Sequence, residues 1–201
     1  MINLNDNQCF YQDQNFKDIY LSEKKINQKE FDNCTFIECN FSESEFYKCK
    51  FYECKFTNCN LTMIKVNNCS FFDTLFENSK AIGINWTAAA WPNIKLCSPI
   101  HFYKCALNYS SFFGLCLREI VMTECTATEV DFREADCTSA NFTHTDFSQS
   151  LFNKTNLTKA DFTDALSYSI DVFLNEIKKA KFSFPEAINL LRCLDIELID
   201  F

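Results

Sequence analysis

Two glycines and three prolines are all that this chain of 201 residues contains. Tight turns ordinarily draw on both residues, so a fold built on many glycine- or proline-based hairpins is excluded. Two glycines also cannot build a phosphate-cradling loop. Histidine is equally scarce, with only His101 and His144. No Ser-His-Asp or Cys-His pairing is indicated, so we expect no catalytic residue and no enzyme. No apolar run approaches the ~20 residues that cross a bilayer. The opening MINLNDNQCFYQDQ has neither a basic n-region nor an apolar h-region, so no signal peptide and no membrane association are expected. The expected setting is cytoplasmic, with reduced thiols. Bases are outnumbered by acids, 19 to 27, for a formal net charge of -8. Phosphate contacts need Lys and Arg, so direct nucleic-acid binding is disfavoured, and a basic partner surface is the natural complement.

What the chain has in excess is phenylalanine, at 23 residues, and cysteine, at 13. Their placement is periodic. From Phe31 a large apolar residue recurs every five positions: Phe36, Phe41, Phe46, Phe51, Phe56, Leu61. A small residue sits two before most of them, as at Cys34, Cys39, Ser44, Cys49, Cys54 and Cys59. A period of five is neither the 3.6 of a helix nor the 2.0 of a strand; it marks an internal repeat, and repeats decide architecture first. Call the large residue of each five its centre. The frame runs from Tyr11 to Leu96, slips by one residue near 97–101, and resumes from Phe102 to Phe182 with a single non-apolar centre, Ser167. Thus 34 of 35 centres are apolar, in a chain only 47% hydrophobic, which chance does not produce. We read 1–8 as an N-terminal tail, 9–183 as the repeat, and 184–201 as a C-terminal helix and tail.

The fives Ala140-Asn141-Phe142-Thr143-His144, Thr155-Asn156-Leu157-Thr158-Lys159 and Ala160-Asp161-Phe162-Thr163-Asp164 fit the pattern A-(D/N)-(L/F)-x-x. In this the chain resembles the pentapeptide-repeat family. The resemblance implies an all-β fold, a right-handed quadrilateral parallel β-helix in which four fives make one coil. The centre and the residue two before it then point inward. Residues 20 apart should stack: Tyr11, Phe31, Phe51, Phe71 and Trp91 in one column, Phe16, Phe36, Phe56, Phe76 and Leu96 in the next. With coils ~4.8 Å apart the rod would be roughly 42 Å long. The two tryptophans, Trp86 and Trp91, should widen the coil, Gly83 and Pro92 should sit at bends, and the slip should divide the rod into two stacks.

After Phe182, Ser183-Phe184-Pro185-Glu186 reads as a capping box with Pro in the first turn, followed by a short α-helix carrying Ala187, Ile188, Leu191 and Leu194. This tail resembles the ending of the quinolone-resistance (Qnr) group within the family. That resemblance implies a homodimer through the C-terminal helix, with Ile188, Leu191, Leu194 and Ile196 as its contact residues. It also implies a non-enzymatic partner of DNA gyrase or topoisomerase IV, occupying the DNA-binding saddle as a DNA-shaped acidic rod and shielding it from quinolones.

The cysteine spacings are multiples of five without C-x2-C knuckles, so we expect core fillers rather than a metal site, and no cofactor. Between 119 and 164 nine acids face three bases, Arg133, Lys154 and Lys159. The residues of this stretch chosen as partner-binding are Glu119, Glu124, Glu129, Asp131, Glu134 and Asp136. A dimer of net charge -16, twice the chain's -8, is far weaker than DNA at one charge per ~1.7 Å. Shape would have to carry such mimicry. The rival reading is a structural or protein-interaction scaffold without topoisomerase activity, since a fold alone does not specify function.

Overall fold

The computed structural model describes residues 8–91, 99–197 and 199. Within each five the centre and its two neighbours are extended, so the centre points one way and its neighbours the other. In Glu30–Asp32, Phe31 is buried between two half-exposed residues. Four such segments, separated by corners, complete a coil, and successive coils pair in parallel. The first face stacks Phe10–Gln12, Glu30–Asp32, Lys50–Tyr52 and Ser70–Phe72. The second runs from Asn15–Lys17 up to Met122–Thr123. The third is a chain of bridges Tyr20, Asn40, Asn60, Lys80, Ala106, Thr126, Asp146, Leu166. The fourth begins with Lys25–Asn27 and Glu45–Tyr47.

The corners explain the shortage of glycine. Every fifth residue from Asp13 to Asn78, and again from Glu119 to Asp164, has a positive φ although none is glycine. Left-handed backbone costs a non-glycine residue about 1–2 kcal/mol. Here most corner N–H groups are paired with a carbonyl of the next coil, as in Asn33 to Tyr52 (2.9 Å) and Glu124 to Thr143 (3.1 Å). Gly83 occupies one such corner at φ +67, where a Cβ would meet the Met63 thioether of the coil below.

Inside, the columns stack as the repeat predicts. Phe16, Phe36, Phe56 and Phe76 lie face to face at 4.8, 4.5 and 5.0 Å between centroids. Neighbouring columns meet edge to face, as Phe31 meets Phe36 at 5.2 Å and 76°, so each ring has both favourable aromatic geometries. Burying each phenylalanine contributes roughly 1.5–3 kcal/mol. The small inward residues do more than fill space. Cys54 Sγ donates to Phe31 O (3.4 Å), Thr145 Oγ1 to Met122 O (2.8 Å) and Thr155 Oγ1 to Phe132 O (2.9 Å). Most of the Cys, Ser and Thr at this position therefore donate to the carbonyl of the centre one coil below.

Three expectations are corrected. The irregularity near 97–101 is larger than one residue: Phe76 pairs with Phe102 and Lys80 with Ala106, 26 positions on rather than 20. Six residues thus lie outside the repeat, and Phe102 stands where Leu96 was expected. Trp91 is only partly buried, its indole N–H donating to Trp86 O (2.8 Å). Pro92, Leu96 and Cys97 lie outside the described residues. The rod is also not split in two, because the Phe76–Phe102 and Trp86–Phe112 stacks (5.1 and 6.0 Å) carry the columns across.

In the last coil the inward places fall to Tyr168 and Ile170 instead of Ser167 and Val172. Phe152 bridges to Ile170, a short step that brings both side chains into the core. The terminal helix, Glu186–Leu194, is 3₁₀ rather than α, and no capping box forms. Ser183 Oγ accepts from Asp164 N (2.7 Å), and Glu186 takes Asn189 Nδ2 (2.7 Å). Each would-be cap thus has another partner.

Candidate interaction surfaces

Among the described residues the aromatic interior is tightly filled. The void lined by Phe46, Phe51, Phe56 and Phe71 measures about 10 Å³, space for about one water. Among the described residues no group of three metal-ligating side chains converges, and no helix is long and apolar enough to cross a membrane. The twelve described cysteines are free thiols, nine of them buried. Burial pushes the Cys54 thiol up to about 12 and that of Cys105 up to about 11, so these groups stay protonated and unreactive.

The chosen acids do not share a face. Glu119, Glu124, Glu129 and Glu134 each occupy a corner of one coil, with φ between 52 and 60. Five residues of sequence are a quarter-turn of the rod, so the four glutamates ring it. Most of the six are also engaged. Glu124 pairs with Lys104 (3.4 Å), Glu134 with Lys154 (3.9 Å), Asp136 with Arg118 (3.2 Å) and Asp131 with Arg133 (2.8 Å). The Arg133 guanidinium holds the Asp131 carboxyl below its ordinary value. Asp136 also accepts from Thr138 N (3.1 Å), which fixes its own turn. Glu129 takes part in no ion pair among the described residues.

At the C-terminal end the 3₁₀ geometry sorts the helix into rows, because three residues per turn align i with i+3. Ala187, Leu190 and Cys193 form a half-buried row, with Leu190 against the core. Ile188, Leu191 and Leu194 form an exposed one. Three of the four residues expected at a dimer contact thus share a row, and Ile196, beyond the helix end, is exposed as well.

Sequence reasoning missed the exposed rings of Phe113 and Phe173. Sorting outward positions by face, once the five-residue frame was known, would have found them.

These surfaces belong to a right-handed quadrilateral parallel β-helix that ends in a short helix. The profile of the family described as "Pentapeptide repeat region" matches residues 29–98 and 86–162, and the chain belongs to the pentapeptide-repeat family. No curated protein matches it in sequence. Among solved structures it is similar to full-length QnrB1, a plasmid-mediated fluoroquinolone resistance protein. The identity is 21%, over 90% of this chain and 100% of that one, with a TM-score of 0.56. A trypsin-treated form of QnrB1 aligns at 19% identity over 92% and 100% of the two chains, with a TM-score of 0.57.

Proposed function

We propose that the protein is a non-catalytic partner of a bacterial type II topoisomerase, DNA gyrase or topoisomerase IV. It occupies the DNA-binding saddle as a dimeric rod and protects the enzyme from quinolones. The observation that carries the reading is the continuity of the second face, whose inward column runs from Phe16 through Phe76, Phe102 and Phe142 to Phe182. It makes one unbroken rod, with the six extra residues before Ile100 as its main interruption. The similarity to QnrB1, which extends over nearly the whole of both chains, supports it. So does the net charge of -8.

Because the acids ring the rod and four of the six pair with bases, three of them with bases of adjoining coils, shape does more than charge. A saddle closing around the rod can reach several corners at once, where a flat partner cannot. The same ion pairs favour the second reading, a protein-interaction scaffold indifferent to topoisomerases. Supercoiling by gyrase, with and without ciprofloxacin, separates the two. Inhibition by the protein alone, or rescue from the drug at micromolar protein, supports the first. Neither effect supports the scaffold.

A further inference from the structure

Of the described non-glycine residues with positive φ, only Met63 and Tyr109 carry a large hydrophobic side chain. Both stand on the corner between the third and fourth faces, 55% and 61% exposed. Corner hydrogen bonds stack them with Gly83 between: Met63 N donates to Ile82 O (2.8 Å), Gly83 N to Asn108 O (2.8 Å) and Tyr109 N to Thr128 O (3.0 Å). Left-handed backbone favours Asn, Asp or Gly over bulky residues, and exposed side chains return little by burial. Folding therefore does not account for either residue. Gly83 is not required by its φ, since other corners reach that value without glycine; it leaves the space in which the Met63 thioether lies. Met63, Gly83 and Tyr109 thus form one ridge along the corner, with Ile82 half-buried beside it.

Acids bracket this ridge. Its column reads Glu23, Glu43, Met63, Gly83, Tyr109, Glu129 and Gln149 and holds no base, whereas the other corners include Lys48, Lys104 and Lys159. Glu43 and Glu129 are exposed and take part in no ion pair among the described residues. The adjoining column of the third face, Ser42, Thr62, Ile82, Asn108 and Thr128, is uncharged. In that of the fourth face Glu45 pairs with Lys25 (3.6 Å) and Asp131 with Arg133 (2.8 Å), which leaves Lys65 as its one charge without a pair among the described residues.

We propose that this ridge is the edge by which the rod seats on a basic protein surface. Met63 and Tyr109, two coil rises or about 10 Å apart, fill an apolar socket. Glu43 and Glu129, four rises or about 19 Å apart, meet bases on its two sides. Tyr and Met are enriched in the buried centres of interfaces, with charged groups left to the rim, and charges of opposite sign steer the encounter. The inference deepens the topoisomerase reading and rests on it, because a saddle that binds DNA phosphates must present Lys and Arg. It assigns the contact to one corner, with the opposite corner facing away.

Titrating gyrase into the protein labelled at its N-terminus, with anisotropy as the readout, tests it. The variant Met63→Asn/Tyr109→Asn removes the ridge with a residue that suits a left-handed corner, and circular dichroism checks its fold. It should bind about tenfold or more weakly than the parent. Glu43→Gln/Glu129→Gln should associate more slowly at low salt and lose most of the salt dependence of that rate. The control Asp13→Asn/Glu53→Asn, on the opposite corner, removes as much charge and should bind like the parent. Full binding by Met63→Asn/Tyr109→Asn, or an equal loss in the control, overturns the inference and leaves the topoisomerase reading standing. An unchanged association rate for Glu43→Gln/Glu129→Gln overturns the pairing of these acids with bases. No binding by the parent overturns the reading and the inference together.

Discussion

Phe76 and Phe102 stack with centroids 5.1 Å apart and planes within 18° of parallel, although 26 positions separate them. The solenoid accepts six residues beyond its 20-residue coil at one place without shifting any column, because interior stacking sets the register rather than chain length.

Replacing residues 92–99 with Ser-Asn shortens that coil to 20. The β-sheet circular-dichroism signal should persist, with a single unfolding transition within about 5 °C of the parent. Deleting 92–99 outright leaves an 18-residue coil and should cost several times more stability. Equal stability of the two variants would contradict the register.

Two inward hydroxyls should respond oppositely to truncation. Thr155 Oγ1 donates to Phe132 O, while Ser44 Oγ is buried with no partner among the described residues. Thr155→Ala should cost about 0.5–1.5 kcal/mol for the lost hydrogen bond, since Phe132 O keeps the Ala135 N–H (3.1 Å), and Ser44→Ala should be neutral or stabilising by up to about 1 kcal/mol. Urea unfolding measures both.

The five-residue frame and most inward residues were legible in the sequence, and the family resemblance implied the coil. Side chains filling a closed interior must repeat with the coil, and Phe31, Phe51 and Phe71 do so. The six-residue excess was not legible. Trp91 is apolar and in frame yet only partly buried, so hydrophobicity alone does not show where a coil takes in extra residues. Tyr168 was hidden for the converse reason, since Ser167 held its place in the count. The acids from Glu119 to Asp136 looked like one patch because they are close in sequence. A quarter-turn every five residues spreads neighbours around the rod and gathers residues 20 apart.

His101 gives the rod a pH dependence. Its Nδ1 accepts the Val121 N–H (3.0 Å), and burial lowers its pKa despite the nearby Asp73 carboxylate. With the folded value depressed, the unfolded chain takes up the proton first. Stability is therefore full above about pH 6.5 and declines as the pH falls through that value. The melting temperature should drop between neutral pH and pH ~5.5, above the range where carboxylates titrate. His101→Gln should flatten that part of the profile; an unchanged slope would assign it elsewhere.

The exposed row Ile188, Leu191, Leu194 tests the proposed dimer. Light scattering should give twice the chain mass for the parent. Ile188→Asp or Leu191→Asp should halve it without altering the β-sheet signal, since neither side chain packs into the rod. A monomeric parent would sink the dimer.

The most direct test of the central claim is displacement of DNA. Gyrase is loaded with a fluorescent duplex, and the anisotropy is followed as the protein is added. The account predicts that the duplex is released as the protein binds, with both sharing one saturable site. Binding that leaves the duplex in place, or no binding at micromolar protein, would contradict it.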